Sequence, residues 1–88
     1  MAWAVELSRE AARDLERLPR DIRRRMVRAI DEMEVDPFRS NVKRLKGTEW
    51  KSRYRKKVGP YRIIFSVDHE KRAVGISAIL IRSKGTYR

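Results

Sequence analysis

Arg53-Tyr54-Arg55-Lys56-Lys57-Val58-Gly59-Pro60-Tyr61-Arg62-Ile63-Ile64-Phe65-Ser66-Val67 is the stretch that decides the fold. On either side of Gly59-Pro60 the chain reads as a strand, the first beginning near Trp50 and the second ending at Val67. Glycine at the first loop position suits a two-residue type II′ turn, and Pro60 has no amide to give to a ladder. Such a loop fixes the register: Val58 faces Tyr61, Lys57 faces Arg62, Arg55 faces Ile64 and Arg53 faces Ser66. Side chains alternate across a strand. Tyr54, Val58, Tyr61, Ile63, Phe65 and Val67 therefore share one face, while Lys51, Arg53, Arg55, Lys57 and Arg62 share the other. The first face is built to pack; the second is almost wholly cationic.

Like charges directly opposite on a sheet cost up to about 1 kcal/mol per pair, so Lys57 beside Arg62, with Arg55 next to them, is a poor arrangement for stability alone. Five cations with no intervening carboxylate ask for an anionic partner. Alternate strand residues lie about 6.5 to 7 Å apart, so neighbouring arginines on one face can each reach a phosphate of an extended polynucleotide.

Working outward, Trp3, Val5 and Leu7 alternate with Ala4 and Glu6, which predicts a half-buried strand over residues 2–7. Ser8 then caps a helix with Glu10 in its first turn and Ala11, Ala12, Leu15 and Leu18 along one stripe, ending at Pro19. A second helix opens around Asp21 and buries Ile22, Met26, Ala29, Ile30 and Met33. It stops where Pro37 disfavours helical backbone at Asp36. The two helices are expected to form an antiparallel hairpin. Residues 38–48 read as a connector anchored by Val42 and Leu45. After the central hairpin, Asp68-His69-Glu70-Lys71 makes a turn and Ala73 to Ile81 forms a long apolar last strand. The order β-α-α-β-β-β predicts one α+β domain over residues 1–88, its helices packed on one face of a four-stranded antiparallel sheet.

Composition agrees with a small core and an anionic partner. The 88 residues carry a formal charge of +11. Residues 1–38 hold 8 Lys/Arg against 9 Asp/Glu, whereas residues 39–88 hold 15 against 3. The whole positive excess lies in the second half, a lopsided field that raises attraction to nucleic acid or acidic proteins. The absence of cysteine removes disulfides and thiol chemistry and fits a reducing, cytoplasmic setting. Glu6 interrupts the N-terminus before a signal-length apolar run develops, and no stretch approaches the roughly 18 apolar residues of a membrane span.

Other chemistry-bearing residues fit structural roles better. His69 is the single histidine and sits in a polar turn; with no second histidine and no cysteine it cannot build a zinc site. The carboxylates cluster in the helices, where pairing with arginines three and four positions away explains them. Trp3 and Trp50 occupy apolar strand positions and are expected to pack in the core. No metal and no cofactor is expected.

The chain resembles the RelE/ParE superfamily of toxins from bacterial and archaeal toxin–antitoxin systems. The likeness spans nearly all of it: Trp3-Ala4-Val5-Glu6-Leu7-Ser8 followed by Ala11, Leu15 and Leu18-Pro19, then Asp36-Pro37 with Leu45-Lys46-Gly47. It continues through Val58-Gly59-Pro60-Tyr61-Arg62-Ile63-Ile64 to a closing arginine and tyrosine. The RelE-like branch comprises endoribonucleases that cleave mRNA, commonly on the ribosome; the ParE-like branch inhibits DNA gyrase and lacks the nuclease residues. The resemblance implies a catalytic set of Arg53 and Arg55 on the strand before the turn, Arg62 after it, and the late Arg82 and Tyr87. All five are present, which points to the ribonuclease branch. Lys46, Lys51, Lys56, Lys57 and Lys84 are expected to add phosphate contacts.

The implied reaction is metal-free attack of a ribose 2′-OH on the adjacent phosphate, leaving a 2′,3′-cyclic phosphate and a 5′-OH. Arginine stays protonated and makes a poor general base, which leaves Tyr87, Lys56, Lys57 and Lys84 as alternatives for that role. Unbroken alternation from Val74 would turn Arg82 toward the apolar face, so the last strand is expected to end or bulge near Leu80 to Ile81. The implied partners are mRNA, the ribosome and a cognate acidic antitoxin, with the free toxin monomeric and the antitoxin complex of higher order. A ParE-like gyrase inhibitor and a non-catalytic RNA-binding module are the competing readings.

Overall fold

The computed structural model describes residues 2–45 and 53–81. Its elements are β1 (Ala4–Leu7), α1 (Arg9–Glu16), α2 (Arg20–Met33), β2 (Val42–Arg44), β3 (Arg53–Val58), β4 (Tyr61–Asp68) and β5 (Ala73–Ile81). Ser8 starts α1 from an extended conformation, and its hydroxyl accepts a hydrogen bond from the Ala11 amide at 3.0 Å, satisfying one of the donors a helix start leaves open. Glu10 stands in the first turn, where the helix dipole favours negative charge. Pro19 occupies the N-cap position of α2 with φ −58°, and Asp21 supplies the acidic first-turn residue.

The described residues form a sheet of five strands in the order β1-β5-β4-β3-β2. Two expectations are corrected. The connector contributes a short edge strand, β2, antiparallel to β3, which makes five strands where four were expected. The first and last strands lie side by side and run parallel, Ala4 opposite Ala73 and Leu7 opposite Ile76, so the sheet is mixed. A parallel neighbour needs a long crossover, and everything from α1 to β4 lies between β1 and β5 in the chain.

The helices cover one face, α1 lying chiefly against β5, with α2 reaching β3. Ala11, Met26, Ile30 and Met33 meet Ile63, Phe65, Val74, Ile76 and Ile79 in the core. Trp3 packs edge-on to Phe38 and His69, and Tyr54 stacks near-parallel on Phe65 at 5.6 Å. Trp3 thus packs against the core, as expected from the sequence, and His69, exposed in its turn, contacts the rings of Trp3 and Phe38.

The last strand was expected to end or bulge near Leu80 to Ile81; the described strand runs to Ile81, and its bulge lies earlier. Ile64 pairs with Ala78 but Phe65 pairs with Ile76, which leaves Ser77 as the extra residue of β5. The insertion shifts the phase of the strand. Before it, Val74 and Ile76 are buried against the helices; after it, Ile79 is buried, while Ala78 and Leu80 lie opposite Ile64 and Arg62 on the other side of the sheet.

Candidate polyanion-binding face

The central hairpin has the register its two-residue loop demands, from Val58 opposite Tyr61 to Arg53 opposite Ser66. Gly59 adopts φ +60°. Pro60, restricted to negative φ, completes the type II′ geometry. The turn aligns the strands so that Arg53, Arg55, Lys57 and Arg62 project from the side of the sheet away from the helices. Arg53 and Lys57 are exposed; Arg55 and Arg62 are half-buried.

Two cations join this group that the sequence did not assign to it. Lys43 on β2 is directly opposite Arg55 and exposed, which adds a second like-charge cross-strand pair to Lys57 and Arg62. Arg25 of α2 sets its guanidinium against the hairpin tip, its nitrogens 3.6 Å from the point a side chain at Gly59 would occupy. The patch therefore runs across β2, β3 and β4 and round the turn. Adjacent strands lie about 4.8 Å apart and alternate residues about 6.5 to 7 Å apart, a grid of cations fine enough to hold consecutive phosphates.

Lys56 does not belong to it. Alternation puts this residue on the helix side between Tyr54 and Val58, where it is only 4% exposed and its Nζ donates to the Ser40 carbonyl at 3.0 Å. Burial pushes its pKa below the usual lysine value, partly opposed by Glu32 and Asp36 and reinforced by Arg39. Its lowered pKa is not available to a substrate on the opposite face. Lys46, Lys51, Arg82, Lys84 and Tyr87 lie outside the described residues, as does Trp50.

The same side of the sheet changes character toward the β4–β5 turn. There a shallow depression of about 690 Å³ is lined by Glu6, Ser66, Asp68, Glu70 and Gly75 among others. The hairpin end is thus cationic, whereas the far end mixes the carboxylates of Glu6, Asp68 and Glu70 with Lys71, and Ile64 and Ala78 lie between. Among the described residues no three His, Cys, Asp or Glu side chains converge as metal ligands, and no helix is long and apolar enough to cross a membrane.

Residues 5–85 match the family model described as the ParE toxin of the type II toxin–antitoxin system parDE. The chain belongs to the RelE/ParE toxin superfamily. Among solved structures, the toxin is similar to the archaeal RelE–RelB complex from Pyrococcus horikoshii OT3, with a TM-score of 0.82, 27% identity, and coverage of 97% of this chain and 100% of that one. It is also similar to the toxin–antitoxin complex RelBE2 from Mycobacterium tuberculosis, with a TM-score of 0.80, 26% identity, and coverage of 93% and 100%. The isolated Escherichia coli RelE toxin shares the fold at a TM-score of 0.75 and 18% identity, over 97% of this chain and 89% of that one. No curated protein matches the chain. The matching family model is thus named for ParE, whereas the solved neighbours are RelE toxins or their complexes with antitoxins.

Proposed function

We propose that this toxin is an endoribonuclease that cleaves mRNA, in association with the ribosome, and is held inactive by an acidic antitoxin. The observation that carries the reading is the convergence of Lys43, Arg53, Arg55, Lys57 and Arg62 on one solvent-facing side of the β2–β3–β4 sheet. Two of the solved structures it resembles at 26–27% identity are complexes of RelE-type toxins with their antitoxins.

In the proposed reaction the ribose 2′-oxygen forms a bond to the adjacent phosphorus and the bond from phosphorus to the 5′-oxygen breaks, giving a 2′,3′-cyclic phosphate and a 5′-OH. The 2′-OH proton passes to a general base, and the departing 5′-oxygen gains one. Arg53, Arg55 and Arg62 hold the charge that builds on the phosphorane oxygens, an electrostatic contribution that is usually the largest in such sites. Arg82 is assigned to the leaving oxygen and Tyr87 to stacking on or orienting a base. Lys57 and Lys43 position the backbone through phosphate contacts. The acidic antitoxin segment competes for the same cations.

The match to a ParE family model favours one second reading, a toxin directed at DNA gyrase. Expression under a tight promoter separates the two. The ribonuclease reading expects growth arrest with new mRNA 5′ ends mapped by primer extension, and growth restored when Arg55 or Arg62 is replaced by Gln in a chain that remains folded. Arrest with intact mRNA and an induced DNA-damage response selects the gyrase reading. Salt-sensitive binding to translating ribosomes with no cut leaves a non-catalytic RNA-binding module.

A further inference from the structure

Strand β1 ends at Leu7, so it covers only the first half of β5; beyond Ile76, among the described residues, that edge of β5 has no strand beside it. Helix α1 takes over. The Ser8 amide donates to the Ile76 carbonyl at 2.9 Å, and the Ser8 hydroxyl donates to the Ser77 carbonyl at 3.0 Å. The Asp14 carboxylate accepts the Ile79 amide at 3.1 Å through Oδ2. On the opposite edge the Ser77 hydroxyl donates to the Ile64 carbonyl at 3.3 Å. These bonds surround the bulged residue on both sides.

Asp14 is the member of this set with least reason to be there for packing. Its neighbours Ala11 and Leu15 face the core, whereas Asp14 is half-buried and spends its charge on a backbone amide of β5. A bonded edge amide two residues past the bulge cannot revert to the unbulged register without losing its acceptor, because a one-residue slip turns every side chain to the other face. The bonded register keeps Ala78 and Leu80 on the side of Arg62 and Ile79 in the core. Ile81 is joined in the chain to Arg82, which the proposed reaction uses.

We propose that Asp14 is a positioning residue for this toxin, its carboxylate holding β5 in the bulged register that aligns the last strand with the cationic face. The inference rests on the ribonuclease reading of that face. Asp14 touches neither β3 nor the β3–β4 turn in any of these bonds, so it should govern the rate of cleavage and leave RNA binding by Lys43, Arg53, Arg55 and Lys57 in place.

The test is single-turnover cleavage of a ribosome-bound message by the full chain, with RNA affinity measured beside it. Asp14→Ala is expected to slow cleavage about 10- to 100-fold, the range in which small misplacements of reacting groups fall, with affinity within about 2-fold. Asp14→Asn keeps an acceptor oxygen and is expected to restore most of the rate. Amide hydrogen exchange should accelerate at Ile79 and its β5 neighbours and stay unchanged at Ile63 and Phe65. A wild-type rate in Asp14→Ala overturns the inference and leaves the ribonuclease reading standing. So does equal loss in the Ala and Asn variants, or faster exchange across every strand, which marks a general stability effect. Absence of cleavage by the wild-type chain removes the ribonuclease reading, and this inference with it.

Discussion

Replacing Lys43 by Glu should make the toxin more stable and a weaker binder of RNA, and both effects can be sized. Lys43 lies directly opposite Arg55 across the β2–β3 pair, exposed beside a half-buried guanidinium. A like-charge pair there costs up to about 1 kcal/mol and an opposite pair returns about 0.2–1 kcal/mol. Exposure of Lys43 holds both toward the lower end. The expected gain is about 1 kcal/mol, or about 4–8 °C in melting temperature for a domain of this size. Lys43→Gln, which removes the repulsion only, should show about half of it. The gain is electrostatic between surface groups. It should therefore fade between 0.1 M and 1 M salt, as the screening length drops from about 10 Å to about 3 Å. On the binding side, each phosphate contact to a single strand contributes about 0.7 to the slope of log affinity against log salt, so Lys43→Gln should flatten it by that amount and weaken binding roughly 5-fold at 0.1 M salt. Thermal melts at the two salt concentrations and fluorescence anisotropy with a labelled oligoribonucleotide read both quantities. Unchanged melting of Lys43→Glu at low salt, or a gain that persists at 1 M, refutes the idea that this face is held together against its own charge.

Gly59→Ala should cost about 1–2 kcal/mol, because the position needs φ +60°; its Cβ would meet Arg25 at an ordinary 3.6 Å, so no clash contributes. Urea melts check it, and wild-type stability would remove the turn assignment. Ser8→Ala loses the α1 cap, about 1 kcal/mol, together with the bond to the Ser77 carbonyl. Ser8→Asp restores the cap but cannot donate to Ser77, so it should recover only part in the same melts. Lys56→Met should leave stability at pH 7 equal or higher, since burial disfavours the charged amine. The sign follows from a folded pKa below 10.5: the penalty is fully present below the folded value and is relieved as pH rises through it. Wild type should therefore gain on Lys56→Met between the folded value and pH 10.5, and parallel pH profiles of the two would count against this account.

The hairpin was legible because its loop has two residues and one of them is glycine, and that pair of facts sets a register no other part of the chain states so directly. The same alternation placed Lys56 between Tyr54 and Val58 on the packing face; counting it with the cations let its charge outweigh its phase. Strand β2 was not legible, since three residues from Val42 to Arg44 are too few for a period to show, and with it went the place of Lys43 in the site. The run Ala73–Ile81 is apolar almost throughout, so the sequence holds no alternation from which the shift at Ser77 could be read. Trp3, Val5 and Leu7 announced a strand but not its neighbour: period two says which side chains share a face and is silent on which strand lies alongside. Arg25 was hidden among the charges of α2, because only the packing of that helix against the hairpin tip brings it to the site.

A division of labour follows from these placements. On β4, Ile63 and Phe65 fill the core while Arg62, just before them, faces the cationic side, so the strand is held by one set of residues and charged by the other. The burden of repulsion falls on the β2–β3–β4 end, where Tyr54 stacking on Phe65 and the hairpin ladder hold the strands together against it. Any polyanion that binds only the folded chain relieves that repulsion and adds stability by mass action, about 2.7 kcal/mol at a concentration 100 times its Kd. Under the proposed function, RNA and an acidic antitoxin segment draw on the same cations. Inhibition then requires no change of fold, only occupation of Lys43, Arg53, Arg55, Lys57 and Arg62 by carboxylates in place of phosphates, and the inhibited toxin should be the more stable one.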